Sequence, residues 1–182
     1  MMETYIAILR GINVSGQKLI KMAALKAAFE EKGFRDVMTY IQSGNIIFRA
    51  EDKKENALSL KVSKLIMNGF GFEVPVIIRN SSSLAGIIRS NPFLNEKGIL
   101  ADKFHVTFLS EAPETNRRQE LEKLSFGNER FVILGREIYL YCPNGYGNTK
   151  LSNNFFENKL KVTATTRNWA TVNKLAELSS GV

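Results

Sequence analysis

The chain has 182 residues, 44% of them hydrophobic, enough to bury one good core or two small ones without metal or disulfide. One cysteine, Cys142, excludes an internal bridge. No apolar run approaches the ~20 residues that span a bilayer, and Met1-Met2-Glu3-Thr4 lacks the basic and apolar segments of a signal peptide, so a reducing cytoplasm and no membrane partner are expected. A formal charge of +7 favours anionic partners such as nucleic acid or phosphorylated small molecules.

Thr4 to Leu9 is an apolar run of strand length. From Met22, Leu25 and Phe29 fall at helical spacing until Gly33 stops the pattern. Asp36 to Ile41 and Asn45 to Phe48 are short β-rich runs joined by Gln42-Ser43-Gly44, which predicts a hairpin. Lys53 to Asn68 returns to helical spacing through Leu58, Val62, Leu65 and Ile66. Val74 to Ile78 reads as a strand, which Pro75 assigns to an edge or a strand start.

After a polar stretch from Asn80 to Lys103, with a short helix around Leu84 to Arg89, the order repeats. Phe104 to Leu109 reads as a strand and Glu114 to Leu124 as a helix. Phe131 to Leu134 and Glu137 to Tyr141 are strands turned by Gly135-Arg136. Leu151 to Leu160 reads as a helix and Val162 to Thr165 as a short strand. A last helix is predicted from Thr166, with Trp169, Val172, Leu175 and Ala176 on one face.

This order predicts an α+β protein of two ferredoxin-like β-α-β-β-α-β halves in tandem plus a C-terminal helix. Residues 1–80 form one half, 81–103 a linker, and 104–182 the second half with the final helix. No repeated motif supports the duplication, which rests on element order alone.

Three polar motifs stand out against this framework: Arg10-Gly11-Ile12-Asn13, Ser43-Gly44-Asn45 and Thr165-Thr166-Arg167-Asn168-Trp169. In a ferredoxin-like unit the third strand lies between the first two, which run parallel. The end of strand one and the following hairpin therefore share a rim, and Arg10 and Asn13 are expected near Ser43 and Asn45. Glycines expose backbone N–H groups there, and with the Arg10 guanidinium they could cradle a phosphate or carboxylate. Turn formation alone would explain the same residues.

The segments Leu9-Arg10-Gly11-Ile12-Asn13-Val14, Gln42-Ser43-Gly44-Asn45 and Thr165-Thr166-Arg167-Asn168-Trp169-Ala170-Thr171-Val172 closely resemble a bacterial family of soluble proteins catalogued as domain of unknown function sixteen-ninety-seven. The likeness runs nearly end to end. Ser15 and Ala170 depart from the glycine and asparagine common at those positions. The resemblance implies no reaction, but it implies that the three motifs belong together.

Competing motif readings are weaker. Gly11 to Lys18 imitates a P-loop, but Gln17 intervenes before Lys18 and Leu19 follows it, so neither the phosphate-binding amine nor the magnesium-binding hydroxyl is in place. Gly145-Tyr146-Gly147 lacks the strand, helix and acid of a dinucleotide site, so it reads as a loop with Thr149 or Ser152 capping a helix. Arg167, read in the first turn of the last helix, faces the positive end of the dipole, so either an internal carboxylate or an anionic ligand should offset it.

His105 within a strand and Cys142 closing one read as packed residues, and no metal site or catalytic group is recognised. Tyr5, Phe48, Tyr139 and Tyr141 could stack RNA on an open sheet, although core packing explains them better. The sequence thus predicts an anion-binding module, with RNA or a nucleotide as candidate partner and no cofactor. Its predicted ligand residues are Arg10, Gly11, Asn13, Ser43, Gly44, Asn45, Arg167 and Asn168. The alternative is an enzyme of unrecognised class acting on a phosphorylated or carboxylated small molecule at the same rim. Oligomeric state is not encoded in any motif.

Overall fold

The computed structural model describes residues 2–51 and 54–181. Met1, Asp52, Lys53 and Val182 lie outside the described residues, and with them the expected start of the second helix at Lys53. The chain divides into two compact units: one runs up to Ala85 and includes the chain from Lys174, and the other is Gly86–Asn173.

The first unit contains β1 (Glu3–Leu9), α1 (Met22–Glu31), β2 (Arg35–Tyr40), β3 (Asn45–Ala50), α2 (Glu55–Phe70) and β4 (Val76–Asn80). Its sheet has the order β2-β3-β1-β4, with every neighbouring pair antiparallel. β4 begins just after Pro75 and is an edge strand, where the missing N–H interrupts no ladder. Tyr5, Ala7, Leu9, Ile46 and Phe48 join Leu25 and Phe29 of α1 and Leu58, Val62 and Ile66 of α2 in one core. Burial of each large apolar side chain contributes roughly 1.5–3 kcal/mol. Phe48 meets Phe29 edge-on at 5.4 Å and Phe34 at 4.7 Å. Ser59 and Ser63 of α2 donate to the carbonyls of Val76 (2.6 Å) and Val74 (3.1 Å), fixing that helix beside the edge strand.

After α3 (Ser81–Arg89) and a 3-10 turn at Ala101–Lys103, the second unit repeats the order: β5 (Phe104–Leu109), α4 (Thr115–Glu122), β6 (Arg130–Leu134), β7 (Glu137–Tyr141), α5 (Asn153–Leu160) and β8 (Ala164–Asn168). Its sheet order, β6-β7-β5-β8, matches the first position for position. Leu109, Ile138, Leu140, Leu151, Phe156 and Leu160 lead its core. Of the two candidate caps, Thr149 and Ser152, it is Ser152 that caps α5, accepting from the Phe155 N–H at 3.2 Å. The chain closes with α6 (Trp169–Ser180).

The tandem ferredoxin-like architecture read from element order is the one observed. One expectation needs correction. The last helix starts at Trp169 rather than Thr166, because β-branched Thr165 and Thr166 continue the ladder of β8. The aromatics of the central strands serve the core, the reading the sequence favoured over RNA stacking. Tyr5, Phe48 and Tyr139 are buried, and every residue of β1 from Thr4 onward and all of β5 are buried on both faces.

Candidate functional site

At the end of β1 three connections converge. The Leu9 N–H donates to the Gly44 carbonyl at 2.8 Å, and the Arg10 N–H to the Pro75 carbonyl at 3.0 Å. The β1–α1 loop, the β2–β3 hairpin and the α2–β4 loop are thereby joined into one rim. Asn13 strengthens the junction. Its Nδ2 donates to the carbonyls of Gln42 (2.8 Å) and Ile20 (3.1 Å), while its Oδ1 accepts from the Ile20 N–H at 2.8 Å. The topology-based expectation that Arg10 and Asn13 lie beside the Ser43–Asn45 hairpin agrees with this geometry.

Those same bonds change what the polar residues can do. Both Nδ2 hydrogens of Asn13 are engaged by backbone carbonyls. Asn45 is buried and donates to the Tyr40 carbonyl (3.1 Å) and to Ser43 Oγ (3.0 Å). These two asparagines hold the loops in place. Gly44 is fixed by space as well as by its φ of +81°: a Cβ there would stand 2.8 Å from Leu9 Cβ and 2.8 Å from Ile12 Cδ1.

The loop beyond Gly11 is structured. Ser15 and Gly16 both have positive φ (51° and 73°), and the Gln17 N–H donates to the Val14 carbonyl at 3.0 Å, which together define a type I′ turn. Asn13 and Lys18 are left-handed too, as is Ile41 in the facing hairpin. A β-branched residue in that region is an outlier, and such positions cost on the order of 1–3 kcal/mol each. Arg10 is half-buried at the loop's start. Lys18 donates to the Glu73 carbonyl at 2.7 Å. Exposed Lys21 precedes α1, which has no side-chain cap and no acid in its first turn.

The second unit has the same scaffold and a much plainer rim. Its Leu109 N–H donates to the Arg136 carbonyl at 2.9 Å and its Ser110 N–H to the Thr163 carbonyl at 2.9 Å, reproducing the Leu9 and Arg10 bonds. The connection from β5 to α4 is only residues 110–114, against residues 10–21 in the first unit.

Arg167 and Asn168 lie in β8, apart in sequence and in unit from the Arg10 rim. Arg167 is only 8% exposed and its Nη1 donates to Thr165 Oγ1 and to the Thr166 carbonyl, both at 2.9 Å. Because it sits in a strand, the helix-dipole penalty expected from sequence does not arise. Asn168 ends the strand and caps α6, its Oδ1 accepting from the Thr171 N–H at 2.8 Å. Trp169 is half-buried and meets Phe104 edge-on at 6.2 Å.

The first unit carries the same pair at the same place. Arg79, 1% exposed, donates from Nη1 to the Ile78 carbonyl at 2.9 Å. Asn80 accepts from the Ser83 N–H at 2.7 Å and caps α3. The registers agree: Arg79 faces Ile6 and Asn80 faces Tyr5, as Arg167 faces Val106 and Asn168 faces His105. Sequence reading missed this repeat because only Arg-Asn and a hydroxyl residue three positions after the asparagine are shared between Arg79-Asn80-Ser81-Ser82-Ser83 and Arg167-Asn168-Trp169-Ala170-Thr171.

The remaining chemical groups are packed. His105 stacks on Tyr146 at 4.9 Å, and burial lowers its pKa, opposed in part by the bond to the Lys103 carbonyl. Burial pushes the Cys142 thiol up to about 11, despite a contact with Thr149 Oγ1 that favours the thiolate. Among the described residues no group of acidic, histidine and cysteine side chains could hold a metal ion, and no helix is long and apolar enough to cross a membrane.

Fold and rim together define a tandem ferredoxin-like α+β protein with one elaborated loop junction. The chain belongs to the family described as protein of unknown function (DUF1697), whose sequence pattern matches residues 2–139. That match covers the whole rim and ends before Arg167. The chain is similar in structure to the conserved bacterial protein SP0830 from Streptococcus pneumoniae, with a TM-score of 0.78 over 98% of this chain and 99% of that one. At 21% identity the likeness concerns the fold. No curated protein matches the chain.

Proposed function

We propose that the rim of the first unit is a binding site for a phosphate-bearing anion, a nucleotide or the backbone of single-stranded RNA. One observation carries the reading: on two units with the same scaffold bonds, only the first has a long, partly left-handed, cation-bearing loop at this rim. Backbone strain concentrated on an exposed loop is the kind of feature that function retains against its energetic cost. Asn13, Asn45 and Gly44 act as supports. Arg10 supplies the charged anion contact, with those N–H groups of the loop that are not already bonded within it, as the Asn13 and Gln17 N–H groups are to the Lys18 and Val14 carbonyls. Burial of both faces of the central strands favours recognition through phosphate over base stacking.

The test is fluorescence anisotropy with a labelled single-stranded oligoribonucleotide, competed by ADP and by inorganic phosphate. Competition by ADP at concentrations where phosphate fails would point to the nucleotide. RNA binding that neither displaces would point to several backbone contacts, with a steep fall in affinity on adding salt. Arg10→Ala should weaken binding about tenfold or more while leaving the circular dichroism spectrum unchanged. Absence of binding to all three at low salt, or equal affinity in a folded Arg10→Ala variant, would overturn the proposal.

A further inference from the structure

The second unit holds a cavity of about 410 Å³ between the 92–96 segment, the 124–129 connection and β6, within the range of small-molecule sites. Its lining is acidic in a chain that is basic overall. Glu96, Glu122 and Glu129 line it together with one cation, Arg130. Two of the carboxylates have their counter-ions: Glu96 pairs with Arg130 at 2.6 Å and Glu122 with Arg118 at 2.8 Å. Glu129 is different. It is half-buried, accepts only the Lys150 backbone N–H at 3.3 Å, and has no cationic partner among the described residues.

The walls are suited to a flat cation. The Arg130 guanidinium lies 5.0 Å from the ring centroid of Phe93, and both residues line the cavity, so one side of it is built from two stacked planar groups. Phe126 adds an apolar surface beside Glu129. A partly desolvated carboxylate without a counter-charge, next to aromatic faces, attracts a monocation with an apolar body far better than an anion or a neutral molecule of the same shape. We infer that this cavity binds a small organic monocation, a primary ammonium on a flat apolar body, with its charge at Glu129 and its body against Phe126. The site is independent of the rim in the first unit.

Three probes of one shape separate charge from shape: tryptamine, neutral tryptophol and anionic indole-3-acetate, titrated into the full chain and followed by amide chemical shifts. Tryptamine should give saturable shifts at residues 124–132, with the other two at least tenfold weaker. Glu129→Gln, nearly isosteric and still able to accept from Lys150, should weaken tryptamine binding about tenfold. Glu120→Gln, an exposed change outside the cavity, should leave it unaltered. Equal binding of the three probes, no saturable shift with millimolar tryptamine, or unchanged affinity in Glu129→Gln would overturn the inference.

Discussion

Replacing Gly44 by alanine tests whether the rim is held by close packing or only by turn preference. Two costs add. An alanine at φ of +81° loses about 1–2 kcal/mol to left-handed backbone strain. The new methyl also meets Leu9 Cβ at 2.8 Å, Ile12 Cδ1 at 2.8 Å and Ile12 Cγ1 at 2.9 Å. Leu9 and Ile12 are buried, so they can yield only by disturbing the core, which costs about 1–3 kcal/mol more. The expected loss is therefore about 2–5 kcal/mol. Gly135→Ala is the control: it lies in the corresponding hairpin of the second unit, with φ of +62° and nothing within 4 Å of an added Cβ. It should lose only the backbone part, about 1–2 kcal/mol. Urea unfolding of both variants, followed by far-UV circular dichroism and compared at constant m-value, reads the difference. If Gly44→Ala costs no more than Gly135→Ala, close packing of the hairpin against the β1–α1 loop does not hold the rim.

Two further outcomes follow from the buried polar groups. Arg79→Lys and Arg167→Lys should each destabilise the chain by about 1–3 kcal/mol, since an ammonium cannot reproduce a fixed guanidinium fork; a large loss in one and none in the other in thermal unfolding would contradict their equivalence. His105 has a folded-state pKa below its ordinary 6.5, so below that pH the unfolded chain takes up the proton first. Its contribution to stability is complete above 6.5 and is lost as the pH falls below it. The fall in melting temperature on acidification should therefore be smaller in His105→Gln than in the parent.

Legibility in the sequence followed the length scale of the signal. β5 and β7 were bounded to the residue, because β5 is an unbroken run of aromatic, β-branched and aliphatic residues around His105, and β7 follows directly on the Gly135-Arg136 turn and ends before Cys142-Pro143. The start of α6 was misread, since the apolar spacing from Trp169 says where a helix packs and little about where a strand of threonines hands over to it. Topology alone brought Arg10 and Asn13 to the Ser43–Asn45 hairpin. The roles of the asparagines were illegible: an amide aimed at backbone carbonyls and one awaiting a ligand have the same one-letter code, and only Asn13's contacts with Gln42 and Ile20 distinguish them. The Arg-Asn repeat was hidden for a related reason. Two residues are too short a pattern until the register places each pair at the same point of its sheet. The cavity was equally hidden, since Glu96, Glu122 and Glu129 come together from separate segments.

The type I′ turn at Ser15-Gly16 and the three bonds of Asn13 also bear on what docking at this rim requires. A twelve-residue loop of disordered chain would lose about 1–2 kcal/mol of backbone entropy for each residue that a ligand fixed. Here residues 10–21 are tied to the hairpin and to the start of α1 before any ligand arrives. That ordering is part of folding and is supported by the core beneath it, so association at the rim proceeds with little further loss of freedom. A loop built this way suits a ligand too small to supply the ordering itself.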